Sequence, residues 1–511
     1  MPQLETLHDL LLSGQDQATA IAAPGRPPLN FGQLRQQVSQ TVHTLNGLGV
    51  GRSDAVAVVL PNGPEMASAF VSIAAAASCA PLNPAYREEE FEFYLTDLGA
   101  KLLILAQGDP TPARKVAQRL GIAIAELEQG TVSGEFSISG TPGAAQPRSG
   151  GPGQADDAAL VLHTSGTTSR PKIVPLSQRN LCASARNIAQ SLSLTRRDRC
   201  LNVMPLFHIH GLLAAVLSSL YAGAAVFCTP GFNALKFFSW MEEAQPTWYT
   251  AVPTMHQAIL SRAPRQRELI AASPLRLIRS SSASLPPQVM KALEETFDVP
   301  VIEAYGMTEA AHQMASNPLP PRARKPGTVG VAAGPEVSVM DSQGRLLSTG
   351  RVGEVVIRGA NVTSGYQGNP QANADSFTSE GWFRTGDQGV MDEDGYLRLT
   401  GRLKEIINRG GEKISPREVD EVLIDHPSVE QAVTFAMPHD KLGEEVAAAI
   451  VLNRDSAASE AEIRDFASRR LAPFKVPRKV YFMDEIPKGA TGKLQRIGLA
   501  EKLGLTGDPE F

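Results

Sequence analysis

Ala158–Leu162 (AALVL) runs straight into His163–Lys172 (HTSGTTSRPK). Five consecutive apolar residues bounded by polar ones predict a buried strand. The ten that follow are rich in hydroxyls, with one glycine and a lysine at the end. Thr164, Ser165, Thr167, Thr168 and Ser169 supply hydroxyl donors, Gly166 lets the backbone close on a ligand, and Lys172 adds positive charge. A polyphosphate concentrates negative charge, and backbone N–H groups, hydroxyls and a cation together hold it. The loop is not a Walker A loop, because G-x-x-x-x-G-K-[ST] is absent, and Ile173-Val174 predict a strand after Lys172 rather than a helix. Taken alone, the same composition also fits a hydroxyl-rich surface turn.

Outward from this loop, strand-like and helical segments alternate through the first 400 residues, the pattern of an α/β fold. Asp54–Leu60 predicts a strand, Glu65–Cys79 a helix and Lys101–Ala106 a further strand. The apolar stretch Ala67–Ala80 is too short to span a bilayer and predicts a buried helix. Thr131–Asp157, dense in Gly, Ser and Pro, predicts a surface loop or a connection between subdomains. Near Gly401 the chain becomes more charged, which places a domain boundary at about residue 400: a large N-terminal domain (1–400) of mixed sheets and helices, and a small α+β domain (401–511). In the latter, Ser415-Pro416-Arg417-Glu418 reads as a capping box launching Glu418–Ile424, and Ser459-x-x-Glu462 as a second, whose helix stops before Pro473. Ala432–Ala436, Val446–Leu452 and Lys479–Met483 predict strands.

Composition excludes several classes. The 511 residues exceed one compact core, so at least two domains are expected. With 48 basic and 53 acidic residues well mixed, net −5, there is no nucleic-acid footprint. Cys79, Cys182, Cys200 and Cys228 lie far apart without metal-ligand spacing and predict reduced, buried thiols. The N-terminus lacks a signal-peptide layout and the C-terminus GDPEF carries no peroxisomal or prenylation signal, so a cytoplasmic protein without membrane partners is expected.

Five further motifs follow in order: Pro205–His208 (PLFH), Tyr305–Glu309 (YGMTE), Gly381–Asp387 (GWFRTGD), Gly401–Glu405 (GRLKE) and Pro487–Lys493 (PKGATGK). Together with the hydroxyl-rich loop they resemble, in order and spacing, the adenylate-forming superfamily of acyl-CoA synthetases, adenylation domains and luciferases. The resemblance covers nearly the whole chain. It implies an N-terminal adenylate-forming domain, a mobile C-terminal lid hinged at about residues 402–404, and three ligands: ATP, Mg²⁺ and coenzyme A.

The resemblance assigns roles residue by residue. Thr164, Ser165, Gly166, Thr167, Thr168 and Lys172 form the phosphate loop; Ser282, Ala283, Ser284, Glu303, Ala304, Tyr305, Gly306 and Met307 belong to the nucleotide wall. Tyr305 offers a flat face to adenine. Thr308 and Glu309, following what reads as a tight turn at Gly306, contact the α-phosphate and Mg²⁺, a hard cation that prefers carboxylate and phosphate oxygens. Asp387, at a Thr-Gly-Asp turn, accepts the ribose hydroxyls, and Arg402 is the second ribose and phosphate contact. Lys493 reaches the reacting carboxylate and α-phosphate; Lys404 sits at the hinge, and the Asn408–Lys413 loop with Gly410 and Gly411 faces the site for thioester formation.

The expected acid pocket is polar: Phe207–Gly211, Ser280–Ser284 and Ala310–Gln313 bring three histidines and several hydroxyls. A fatty-acid pocket is apolar, because unpaired polar groups against methylenes cost about 1–3 kcal/mol each. A small acid with a second carboxylate satisfies them. LHTSGTTSRPK, PLFHIHGLLA, TWYTAVPTMHQ, EAYGMTEAAHQMASNPLP and GRLKEIINRGGEKISP are similar to the oxalate–CoA ligase group. This implies oxalate, with His208, His210, Ser282 and His312 around it and His208 near the reacting centre. Ile173, where many relatives have Gly, and the missing peroxisomal signal are departures. Competing readings are a ligase for malonate, another short acid or an aryl acid, a stand-alone adenylation enzyme feeding a carrier protein, and a nucleotide-binding module without catalysis.

Overall fold

The computed structural model describes residues 4–142, 147–164, 171–454, 456–489 and 493–505. Its N-terminal part is built on two large sheets. In the first, nine strands lie in the order Val331–Ala332, His312–Ser316, Val301–Met307, Leu277–Ser280, Trp248–Ala251, Arg199–Asn202, Ala225–Cys228, Thr19–Ala23, Arg26–Asn30. The six from Val301–Met307 to Thr19–Ala23 are parallel, and antiparallel strands close both edges. In the second, seven strands run Phe136–Gly140, Ala123–Gln129, Leu102–Ala106, Ala55–Val59, Ser78–Pro81, Ala158–Thr164, Lys172–Ser177.

Helices Pro64–Ala74 and Gln178–Ser191 each touch strands of both sheets. One apolar core therefore joins Val56 and Leu160 of the second sheet to Val226 and Ile302 of the first through Phe70, Ile188 and Leu213. Parallel strands buried on both faces need apolar residues at every position. Ala225–Cys228 fits that rule; Trp248–Ala251 and Leu277–Ser280 are equally buried yet carry Thr250 and Arg279.

Three expectations are corrected. The helix predicted over Glu65–Cys79 ends at Ala74, and Ser78–Pro81 is a strand. Both are buried all round, so the apolar run Ala67–Ala80 carries no period to separate them. The stretch Thr131–Asp157 is not all loop, because Phe136–Gly140 adds an antiparallel edge strand. Ser415 caps the helix Pro416–Ile424 through the Glu418 N–H, but the Glu418 carboxylate takes Lys475 Nζ at 2.6 Å instead of completing the box. At Ser459 both halves of the box form.

A four-stranded antiparallel meander ends the N-terminal part at Leu397–Arg402. The small C-terminal domain then opens with Ile407–Arg409 and folds as a five-stranded sheet with helices Pro416–Ile424 and Glu460–Ser468. Its own apolar core includes Ile407, Val419, Ile450 and Ile463. The Ser415 hydroxyl donates to the Thr400 carbonyl, so the two domains touch beside the junction. Asn408–Lys413 is a β-hairpin turning at Gly410 (φ +57°) and Gly411 (φ +98°), a conformation glycine adopts without strain. Among the described residues no helix is long and apolar enough to cross a membrane. All four cysteines are free and buried.

Candidate active site

Ligands of open α/β sheets bind outside the carboxyl ends of the strands. Here the chain leaving Trp248–Ala251, Leu277–Ser280 and Val301–Met307 walls a cavity of about 450 Å³. Its lining includes Ser282, Ala283 and Ser284, Glu303–Gly306, Asp387, Arg402 and Lys493, together with Asp420 and Val433 of the small domain. The cavity thus lies between the two domains. Ser282 (φ +75°), Ala311 (φ +46°) and His312 (φ +96°) hold left-handed backbone without being glycine, a strain that clusters at functional sites.

Gly306 is not a turn but part of the strand Val301–Met307. A Cβ there would stand 1.7 Å from the His312 carbonyl oxygen, so only glycine lets the two strands approach. Asp387 likewise sits not in a turn but at a bulge within Phe383–Met391, where Gly386 (φ +73°) re-aims the strand. The re-aimed carboxylate accepts from the Tyr305 hydroxyl on one oxygen and from Arg402 Nε at 3.0 Å on the other. Glu303, fully buried, accepts from the Leu285 N–H at 3.0 Å through Oε1 and has no partner for Oε2; burial pushes its carboxyl up to about 7.

Thr308 and Glu309 form a 3-10 turn after that strand. The Tyr366 hydroxyl donates to Glu309 Oε1 at 2.8 Å, and Lys172 Nζ stands 4.3 Å over the Tyr366 ring. Burial raises the Glu309 carboxyl, against the pull of the Tyr366 hydroxyl and of Arg402 and Lys172. Thr164 and Lys172 face each other as the last paired residues of adjacent antiparallel strands, so the phosphate-type loop springs from a fixed base. Ser165, Gly166, Thr167 and Thr168 lie outside the described residues.

The histidines gather at the start of a π-helix, His210–Leu217, a form concentrated at functional sites. Gly211 is required there, since a Cβ would meet the Pro205 carbonyl oxygen at 2.5 Å. His208 Nδ1 accepts from the His210 N–H at 3.3 Å. The His210 and His312 rings stack with centroids 5.0 Å apart. Burial pushes His208 down to about 3, with Lys493 adding to the effect, and also drives His210 and His312 below the usual range. All three are therefore neutral near pH 7. Lys493 is lowered to about 8, first by burial and then by Arg402, against the attraction of Asp387.

The model for AMP-binding enzymes matches residues 13–367, and that for the AMP-binding enzyme C-terminal domain matches 418–493. The chain belongs to the AMP-binding enzyme family. Within that family it is 46% identical over 489 residues to an oxalate–CoA ligase of Arabidopsis thaliana, covering 94% of this chain and 95% of that one. It is 43% identical over 481 residues to an oxalate–CoA ligase of Saccharomyces cerevisiae, covering 88% and 87%. Among solved structures, ATP-bound MatB from Rhodopseudomonas palustris superposes with a TM-score of 0.87 at 28% identity, covering 98% of each chain.

Of the residues expected from sequence, Ser282, Ala283, Ser284, Glu303, Ala304, Tyr305, Gly306, Asp387, Arg402 and Lys493 line the one cavity. His208, His210, His312, Met307, Thr308 and Glu309 lie outside its lining, and His210 is joined to it through Ser282 at 3.0 Å. Gly410 and Gly411 do not line it. Sequence reasoning missed Tyr366, Thr250 and Arg279 as parts of the site. For Arg279 a signal existed: a charge inside the apolar run Leu277-Ile278-Arg279.

Proposed function

We propose that this AMP-binding enzyme is an AMP-forming acid–CoA ligase whose acid is oxalate. The observation that carries the reading is Lys493, brought from the small domain into the cavity of Tyr305, Asp387 and Arg402 and close enough to His208 to depress its basicity. The oxalate–CoA ligases at 43% and 46% identity support the acid.

In this reading a carboxylate of oxalate attacks the α-phosphorus of ATP, giving oxalyl-adenylate and pyrophosphate; the thiol of CoA then displaces AMP. Like charges about 4 Å apart at an effective dielectric near 20 repel by roughly 4 kcal/mol. The Lys493 ammonium offsets that repulsion where the negative charges meet. Tyr305 stacks on adenine, Asp387 and Arg402 hold the ribose, and Thr164–Thr168 with Lys172 hold the departing pyrophosphate. Thr308 steadies the α-phosphate. Glu309 fits a Mg²⁺ ligand: Oε1 is committed to Tyr366, which leaves Oε2, a hard oxygen, for the cation. When bound, Mg²⁺ neutralises phosphate charge.

Residues 1–400 act as the ATP and acid domain and 401–511 as a lid pivoting at 402–404. After adenylation the lid turns so that the Gly410–Gly411 hairpin meets CoA. The test is mass spectrometry of the products from ATP, CoA and a panel of oxalate, malonate, acetate, octanoate and a cinnamate. Oxalyl-CoA with AMP is expected; a thioester of another acid formed in preference refutes the assignment of oxalate.

A further inference from the structure

Arg279 is fully buried in the strand Leu277–Ser280, and among the described residues no carboxylate pairs with it. A buried cation without a counter-ion is costly, because buried charges are normally paired. Its contacts are neutral groups: Nη1 lies 3.5 Å from His210 Nε2 and 3.4 Å from Thr250 Oγ1, and Nη2 lies 3.2 Å from His312 Nε2 and 3.3 Å from Gln313 Oε1. Nε has no partner.

Guanidinium can only donate, so both Nε2 atoms must be bare and both rings carry their proton on Nδ1. The consequence propagates. The Thr250 hydroxyl donates to His210 Nε2 at 2.6 Å, His210 Nδ1–H donates to Ser282 Oγ at 3.0 Å, and the Ser282 hydroxyl hydrogen is left free at the cavity wall. Burial lowers Arg279 only to about 9, so it stays charged near pH 7. A positive charge is thus held behind a wall of neutral donors, on the far side of the cavity lining from solvent.

We infer that Arg279 is the positioning residue that makes the acid pocket select a dianion: it fixes His210 and His312 as Nδ1–H donors and supplies the charge that balances the second carboxylate of the substrate. The inference rests on the reading of this cavity as an acid-activating site. Lys493 meets the reacting carboxylate; Arg279, acting through His210, Ser282 and His312, meets the one that does not react.

The test compares AMP release with oxalate and with oxamate, its monoamide of the same shape and one charge fewer, in the full-length enzyme and in Arg279→Gln. A unit charge about 6 Å away at an effective dielectric near 20 is worth on the order of 100-fold. Arg279→Gln is therefore expected to raise KM for oxalate by about that factor, with kcat, KM for ATP and kcat/KM for oxamate each within about three-fold of wild type. Equal losses on both acids, or an unchanged oxalate-to-oxamate preference, overturn the inference. Should Arg279→Gln fail to fold, Arg279→Lys is read instead: a retained preference for the dianion supports the inference and a lost one overturns it. If wild type uses malonate in place of oxalate, the acid proposed above is wrong, and Arg279 is judged by the same comparison on malonate and its monoamide.

Discussion

Arg402 Nε stands 3.0 Å from Asp387 Oδ1, so the last residue of the N-terminal meander grips the carboxylate that the Tyr305 hydroxyl holds from the other side. Tyr305, 82 residues away in the chain, and Arg402, on the neighbouring strand, meet on one carboxylate, at the junction where the small domain begins.

Asp387→Asn removes the charge and one of the two acceptors. The exposed side of the pair with Arg402 is worth little alone, whereas the buried bond from Tyr305 is worth about 1–2 kcal/mol. Calorimetry is expected to show a modest fall in Tm, and steady-state kinetics a KM for ATP raised about ten-fold or more, with KM for the acid nearly unchanged.

Lys493→Ala separates the two half-reactions. Acid-dependent pyrophosphate exchange is expected to fall by at least about 100-fold, the scale of a lost electrostatic contact in a transition state. Thioester formation from preformed oxalyl-adenylate stays near wild type. Equal loss of both steps contradicts the role given to Lys493.

Because Lys493 is lowered to about 8, its charged form is complete below that pH and disappears as pH rises through it. Adenylation should fall on the alkaline side, with bound phosphates moving the midpoint upward. Lys493→Arg, which does not lose its proton in this range, is expected to be slower and to lack that limb in a pH–rate profile.

Gly306→Ala drives a methyl group into the His312 carbonyl. Overpacking of this kind costs about 1–3 kcal/mol. Because the displaced backbone carries His312, chemical denaturation should show the loss of stability and kinetics a weakened hold on the acid.

Much of this was legible in the chain. AALVL predicted the strand that becomes Ala158–Thr164, and Ser459-x-x-Glu462 predicted a cap that forms in full. Ser282–Ser284, Glu303–Gly306, Asp387, Arg402 and Lys493 line a shared cavity, while Thr308, Glu309 and His312 lie outside its lining. What escaped was set by tertiary context. The run Ala67–Ala80 is buried throughout, and only its packing decides that helix gives way to strand after Ala74. Gly306 and Gly386 read as turn formers, but one serves close strand approach and the other a bulge. Arg279 was marked in the sequence only as a charge inside an apolar run; its place in the site was not, because its partners Thr250, His210 and His312 come from three other segments of the chain.

The central claim, activation of oxalate by ATP, is tested most directly by oxalate-dependent exchange of labelled pyrophosphate into ATP with Mg²⁺ and without CoA. The account predicts exchange that depends on added acid, saturates with oxalate, is faster with oxalate than with malonate, acetate, octanoate or a cinnamate, and falls by at least about 100-fold in Lys493→Ala. Exchange supported better by one of the other acids, or none with oxalate in a protein that binds ATP, would contradict it.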